Sequence, residues 1–203
     1  MNSGKYVFAQ LFDFVNKYEF EKCVNRNNGD YRTRDLNCWN HFVQLFFGQI
    51  TSLNSLRDIC LCLKAHKRKF YHLGIKQNVV HTTLSRANEQ RNWQIFADFG
   101  EYLIHLVRPL YAENSIPEMD IDNEVFALDS TTISLSIKLF SWAEGKYKIH
   151  TLLDLRGNIP SFILITDGKY HDNNALDAMT FYSNVIYLMD RPYIDFEALF
   201  RIN

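Results

Sequence analysis

Two stretches of this chain end alike: EVFALD at residues 124–129 and NVIYLMD at residues 184–190 each run a short apolar segment directly into an aspartate. Their length and their β-branched and aromatic content read as strands. A buried strand delivers the side chain at its end with little positional freedom. If the two strands are neighbours, Asp129 and Asp190 form a pair of hard oxygen donors suited to a divalent cation and to in-line attack on a phosphodiester. Asp also closes strands simply as a turn residue, so either one alone carries little. The pair carries the reading.

Outward from these two stretches, YKIHTLLDL at 147–155 and IPSFILIT at 159–166 are also of strand length, closed by Gly157 and Gly168. Between the last two strands lies DNNALDAMTFYS, whose Leu176, Met179 and Thr180 predict a helix with His171 and Asp172 capping its start. The order strand, strand, strand, helix, strand predicts a mixed α/β layer. Lys148 and His150 alternate with Asp154 on one strand face, which sets them beside DNA phosphate or a metal, or else in a cross-strand polar row. Ser130, Thr131 and Thr132 have no histidine partner in a motif, which argues against a serine nucleophile.

The first half changes period, with apolar residues recurring at three and four. Phe8, Leu11, Phe12 and Val15 mark one helix face, and Phe42, Leu45, Phe46 and Ile50 another. Ser55 followed by Asp58 predicts a capping box before the stripe Leu56, Ile59, Cys60, Leu63. The basic run Lys64, His66, Lys67, Arg68, Lys69 then sits at the carbonyl end of that helix, where positive charge is favourable. Gly74 is read as ending one helix and Thr82 or Thr83 as capping the next, which begins near Leu84. This helix-turn-helix candidate presents Thr83, Arg86 and Arg91, types that reach base edges and phosphates; a solvated helical hairpin explains the same letters. Trp39, Trp93 and Trp142 are expected in the core or at an interface.

The 203 residues are 47% hydrophobic and 22% charged, which excludes dominant disorder and is enough to bury a core. The formal charge of -1 hides an asymmetry: residues 1–110 hold 15 Lys/Arg against 9 Asp/Glu, and residues 111–203 hold 7 against 14. A basic half joined to an acidic half points to a polyanion-binding module beside one that gathers carboxylates. The division expected is a helical DNA-binding domain over 1–110, an acidic linker YAENSIPEMDIDN over 111–123, and a mixed-sheet domain over 124–203. Cys23, Cys38, Cys60 and Cys62 lack zinc-site spacing and read as free thiols. With neither a signal peptide nor a membrane-length apolar run in sight, the expected location is cytoplasmic.

The blocks ALDSTT at 127–132, GKYKIHTLLDLRGNIP at 145–160, TDGKYHD at 166–172 and LMDRPYIDFEAL at 188–199 resemble those of DDE transposases of the insertion-sequence 4 family. SLRDI at 55–59 and TTLSRAN at 82–88 are similar to the helical DNA-binding domain before that core. The resemblance implies an α+β protein in which an all-α DNA-binding domain precedes a partial RNase H-like sheet. It implies that Asp129 and Asp190 are the first and second catalytic, Mg²⁺ (or Mn²⁺) binding acids, and that DNA element ends are cut and joined by phosphoryl transfer. It also implies that double-stranded transposon ends, and a second transposase copy in a homodimer or paired with the full-length enzyme, are the partners. The third acid, a glutamate on a later helix in a Tyr, Arg, Glu, Lys pattern, has no counterpart before Asn203, so the chain is expected to be truncated and inactive on its own. Pro192 stands where the family usually has Gly, and a proline cannot supply a positive φ, which predicts a looser Asp190. A non-catalytic DNA-binding remnant or transposition inhibitor, and an RNase H-like nuclease working with two carboxylates, are the alternative readings.

Overall fold

The computed structural model describes residues 6–70, 73–75, 79–111, 123–134 and 146–202. The chain divides into two compact units, Met1–Tyr102 and Leu103–Asn203. Most of the expected linker 111–123, and Trp142, lie outside the described residues.

The first unit is helical: α1 (Val7–Leu11), α2 (Lys17–Arg26), α3 (Cys38–Ile50), α4 (Leu56–Ala65), α5 (His81–Gln90) and the start of α6 (Gln94–Tyr111), which ends in the second unit. Side-chain caps begin three of these helices. The Asn16 side chain accepts from the amides of Tyr18 and Glu19, and Asn37 from that of Asn40. Ser55 Oγ accepts from the Asp58 amide at 3.1 Å, so the expected N-cap forms, but the Asp58 carboxylate accepts from the Ser55 hydroxyl at 2.6 Å rather than from the Ser55 backbone amide that a full capping box would use. Each such cap contributes about 1 kcal/mol.

The core of this unit is aromatic and centres on α3. Phe42 stacks on Phe20 at 5.0 Å and meets Phe99 edge-on at 5.7 Å, while Phe12 contacts both Trp39 and Phe46. The predicted stripe Phe42, Leu45, Phe46, Ile50 is therefore one side only. Phe42, Leu45 and Phe46 are half-buried, whereas Val43, Gln44 and Phe47 are buried, because α3 is the central helix, and Ile50 at its last turn is exposed. A side chain at Gly48 would overlap Ile59 on α4, so the absence of one is what lets α3 and α4 approach closely.

Two expectations change here, the cap of α5 and the tight turn before it, while the expectation for Trp39 holds. Helix α5 starts at His81 after Val80, with no side-chain cap, and is held instead by the fully buried Leu84. Residues 66–80 separate α4 from α5 and include a 3-10 turn at Lys67–Lys69, with Gly74 at φ 77° beyond it. A helix-turn-helix joins its helices through about three or four residues, so these two are not a tight-turn pair. Trp39 is buried and donates to the Leu73 carbonyl, whereas Trp93 is 68% exposed.

In the second unit β1 (Glu124–Ser134), β2 (Lys146–Asp154), β3 (Ile159–Asp167) and β4 (Val185–Met189) form one mixed sheet in the order β3-β2-β1-β4. The β1–β2 and β2–β3 pairs are antiparallel, and β4 returns parallel to β1. Its crossover is a 3-10 helix, Asp172–Ala178, rather than the expected α-helix, and a short helix α7 (Phe196–Ile202) follows the sheet. One face packs Phe126, Leu128 and Leu152 against Ala175 and Leu176 of the 3-10 helix and against Tyr193 and Ala198. The opposite face leaves Ile163, Ile165, Ile186 and Leu188 between 37% and 59% exposed. Among the described residues no helix is long and apolar enough to cross a membrane.

Candidate active site

The register of β1 and β4 decides the site. Leu128 and Met189 are the last pair of the parallel ladder, and Asp129 and Asp190 are the residues that follow them. This is the carboxyl end of the parallel pair, where open sheets present their binding crevice. Asp129 does not close its strand as expected: β1 runs on to Ser134, and Asp129 pairs with Thr151 of β2. Asp190 does close β4. Its carboxylate accepts from the Arg191 amide at 2.7 Å and so caps the 3-10 turn Arg191–Tyr193. Both carboxylates are solvent-exposed. Pro192 lies inside that turn, and no residue of the turn has a positive φ, so a proline fits where it was expected to loosen the aspartate.

Behind the pair lies a buried polar network. The Tyr193 hydroxyl is 3.0 Å from His150 Nδ1, and His150 Nε2 is 3.0 Å from Thr166 Oγ1. One ring nitrogen donates and the other accepts. Lys148 donates to Asp172 and to the Tyr170 carbonyl, both at 3.0 Å. Burial pushes the His150 pKa down, with the Asp172 carboxylate opposing it and Lys148 adding to it. Burial likewise pushes the Tyr193 phenol up, against a hydrogen bond with Ser130; Asp172, Asp129 and Asp190 raise it further.

This arrangement relocates several sequence-derived candidates. Lys148 and His150 belong to the cross-strand polar row, and His150 is fully buried, so neither presents a free cation to DNA. Asp172 pairs with Lys148 and caps no helix. Asp154 belongs to a separate group near the start of β1. Burial alone would raise its pKa, but hydrogen bonds and charge from Arg156, with Arg108 beside it, hold it below the ordinary carboxylate value. Tyr193 and Thr166 stand inside the blocks quoted above but had no role assigned to them, and only the pairing of β2 with β3 and the turn after β4 brings them together.

In the first unit Lys64, Lys67, Arg68 and Lys69 form an exposed basic group at the end of α4. Thr83, Arg86 and Arg91 line a cleft between α5 and the loop before α3. Among the described residues, no group of three or more His, Cys, Asp or Glu side chains gathers closely enough to hold a metal ion.

Residues 3–76 match a family described as a domain of unknown function (DUF4372). The chain is 28% identical over 168 residues to a Synechocystis sp. protein named "Putative transposase for insertion sequence element IS4SA". That match covers 79% of this chain and 45% of the relative, so the chain spans just under half of the relative's length. No solved structure matches the chain. Since 79% of the chain exceeds either unit, the match runs through both, and the resemblance to IS4-type transposases stands on a relative that covers the helical and the sheet-bearing parts alike.

Proposed function

We propose that this chain is the DNA-binding and first two-carboxylate part of an insertion-sequence transposase that cuts and joins element ends by Mg²⁺-dependent phosphoryl transfer. The observation that supports the reading is the parallel register of β1 and β4, whose last pair, Leu128 and Met189, is followed by Asp129 on one side and Asp190 on the other. A mixed sheet with one acid on its central strand and the other just after β4 supports the RNase H-like interpretation.

The donor chemistry fits a hard divalent cation in part: two exposed carboxylates offer oxygen ligands, and Mg²⁺ commonly keeps several waters. When bound, the cation activates an attacking oxygen and offsets charge on the phosphodiester. The chain's own residues fix the two acids. The β1–β2 ladder holds Asp129, and the 3-10 turn, anchored through buried Tyr193, holds Asp190. The exposed Lys64, Lys67, Arg68 and Lys69 group supplies phosphate contacts to duplex ends, and a second transposase copy is the partner expected there.

The test titrates the purified chain with an element-end duplex at several salt concentrations and, separately, with Mn²⁺ followed by electron paramagnetic resonance. The expected results are duplex binding whose log-log salt slope falls by roughly 0.9 for each Lys removed from the α4 group, and Mn²⁺ binding that disappears in Asp129→Asn and Asp190→Asn. Absence of both kinds of binding overturns the reading.

A further inference from the structure

The loop preceding α3 and the polar side of α5 enclose a cleft of about 640 Å³ in the first unit. That volume is in the range of small-ligand sites, so it suits a few nucleotides of one strand rather than a duplex. Its charged lining is four arginines, Arg32, Arg34, Arg86 and Arg91, against the single carboxylate of Asp35. Among the described residues Arg34 and Arg86 pair with no carboxylate. Arg91 Nη2 donates to the Leu36 carbonyl and ties α5 to the loop, while its Nη1 is buried with no hydrogen-bond partner among the described residues. The cleft therefore holds more cationic donor capacity than the protein itself satisfies, as a site for a polyanion does.

Tyr31, also lining the cleft, is 72% exposed, and the Arg32 guanidinium lies 5.0 Å from its ring centroid. A large aromatic left in water beside unpaired arginines is the combination that single-strand binding uses, with bases stacking on the ring and phosphates on the cations. In a duplex the base faces are already stacked and offer nothing to such a ring. The loop is also pre-set. The Asp30 carboxylate accepts from the Cys38 amide at 2.7 Å, and Asn28 and Arg32 take left-handed φ values of 50° and 56°. Non-glycine residues keep that conformation only where the surroundings impose it, and such positions concentrate at ligand sites.

We propose that this cleft binds an unpaired DNA strand, with phosphates on Arg34 and Arg86 and a base against Tyr31. The inference rests on the reading of the chain as a DNA-binding protein, and it adds a strand-selective site apart from the Lys64–Lys69 group.

The experiment measures fluorescence anisotropy of the full chain with a short dye-labelled oligothymidylate and, in parallel, with a labelled duplex. Tyr31→Ala weakens oligothymidylate binding by roughly tenfold and leaves the duplex affinity unchanged. Lys67→Ala with Lys69→Ala does the reverse. Replacing Arg34 and Arg86 together lowers the single-strand salt slope by about 1.4. Full oligothymidylate affinity in Tyr31→Ala overturns the proposal, as does equal loss on strand and duplex or tighter binding of an RNA strand than of DNA. Duplex binding with no strand binding sinks the cleft alone, and failure to bind either form sinks the DNA-binding reading with it.

Discussion

Tyr193 and His150 meet in the core of the second unit, hydroxyl to Nδ1 at 3.0 Å, so the turn that follows Asp190 is tied to the strand whose Thr151 pairs with Asp129. His150 is 0% exposed and Tyr193 2%, which leaves no water to replace either partner. Tyr193→Phe keeps the ring and strands one imidazole nitrogen, at an expected loss of about 1–3 kcal/mol. The urea midpoint falls while the slope of the transition is unchanged. Thr166→Val, which strips the partner from Nε2, has an effect of similar size. An unchanged midpoint in Tyr193→Phe shows that the hydrogen bond holds nothing together.

A second buried histidine makes the first unit sensitive to acid. His41 is 1% exposed, and burial, reinforced by the charge of Arg91, lowers its pKa from 6.5 to about 4. A depressed folded-state pKa means that the unfolded chain takes up the proton first as pH falls. The stabilisation is therefore complete above 6.5, shrinks as pH falls below it and is gone near 4. Between about pH 7 and about pH 5 this one group removes about 2 kcal/mol. His41→Leu cannot titrate and should lose that much less over the same interval in urea unfolding. Parallel pH profiles for wild type and variant would show that the proton goes elsewhere.

What the sequence made legible and what it hid divide along local and long-range structure. The Ser55 N-cap, the four strands and the charge asymmetry depend on residues near one another in the chain, and all were readable there. That β1 and β4, the strands leading to Asp129 and Asp190, become parallel neighbours could not be read locally; the matching endings hinted at it, but only the long-range pairing establishes it. Tyr31, Arg32 and Arg34 gave no signal, because their meaning comes from facing α5 across a cleft. Asp172 was misread as a cap because a helix start and an ion-pair partner for Lys148 look the same in one dimension.

Exposed apolar residues on the two edge strands of the sheet set the solution behaviour of the second unit. Ile163, Ile165, Ile186 and Leu188 stand on alternate positions of β3 and β4, all at least 37% exposed. An apolar surface of that kind favours self-association. Ile165→Lys with Leu188→Lys places two charges there and, at exposed sites, changes stability by no more than about 0.5 kcal/mol each. Sedimentation velocity of the full chain should move from a concentration-dependent mixture towards monomer. A wild type that stays monomeric over the same concentrations removes these residues as an association surface.

The last prediction concerns the two carboxylates without their cation. Asp129 and Asp190 each follow the last pair of the parallel ladder, Leu128 and Met189, and on the two-carboxylate reading their like charges destabilise the metal-free fold. Asp129→Asn removes the repulsion while keeping shape and strand pairing, so the metal-free variant should melt slightly above the wild type. A cation that binds the folded pair and not the unfolded chain stabilises by mass action, about 2.7 kcal/mol at a hundred times its dissociation constant. Mg²⁺ or Mn²⁺ should therefore raise the melting temperature of the wild type and leave Asp129→Asn and Asp190→Asn where they are. The two halves of the result are linked, because the charge that repels in the absence of metal is the charge that binds it. A wild type indifferent to both ions, with Asp129→Asn melting no higher, separates the carboxylates electrostatically and removes them as a metal pair. If both aspartates are needed for the ion response, incubation with element-end DNA and Mn²⁺ then asks whether two ligands suffice for nicking. The geometry of in-line transfer demands oxygens fixed on both sides of the reacting phosphorus, so the expected rate is lower by about a hundredfold or more than with a complete ligand set.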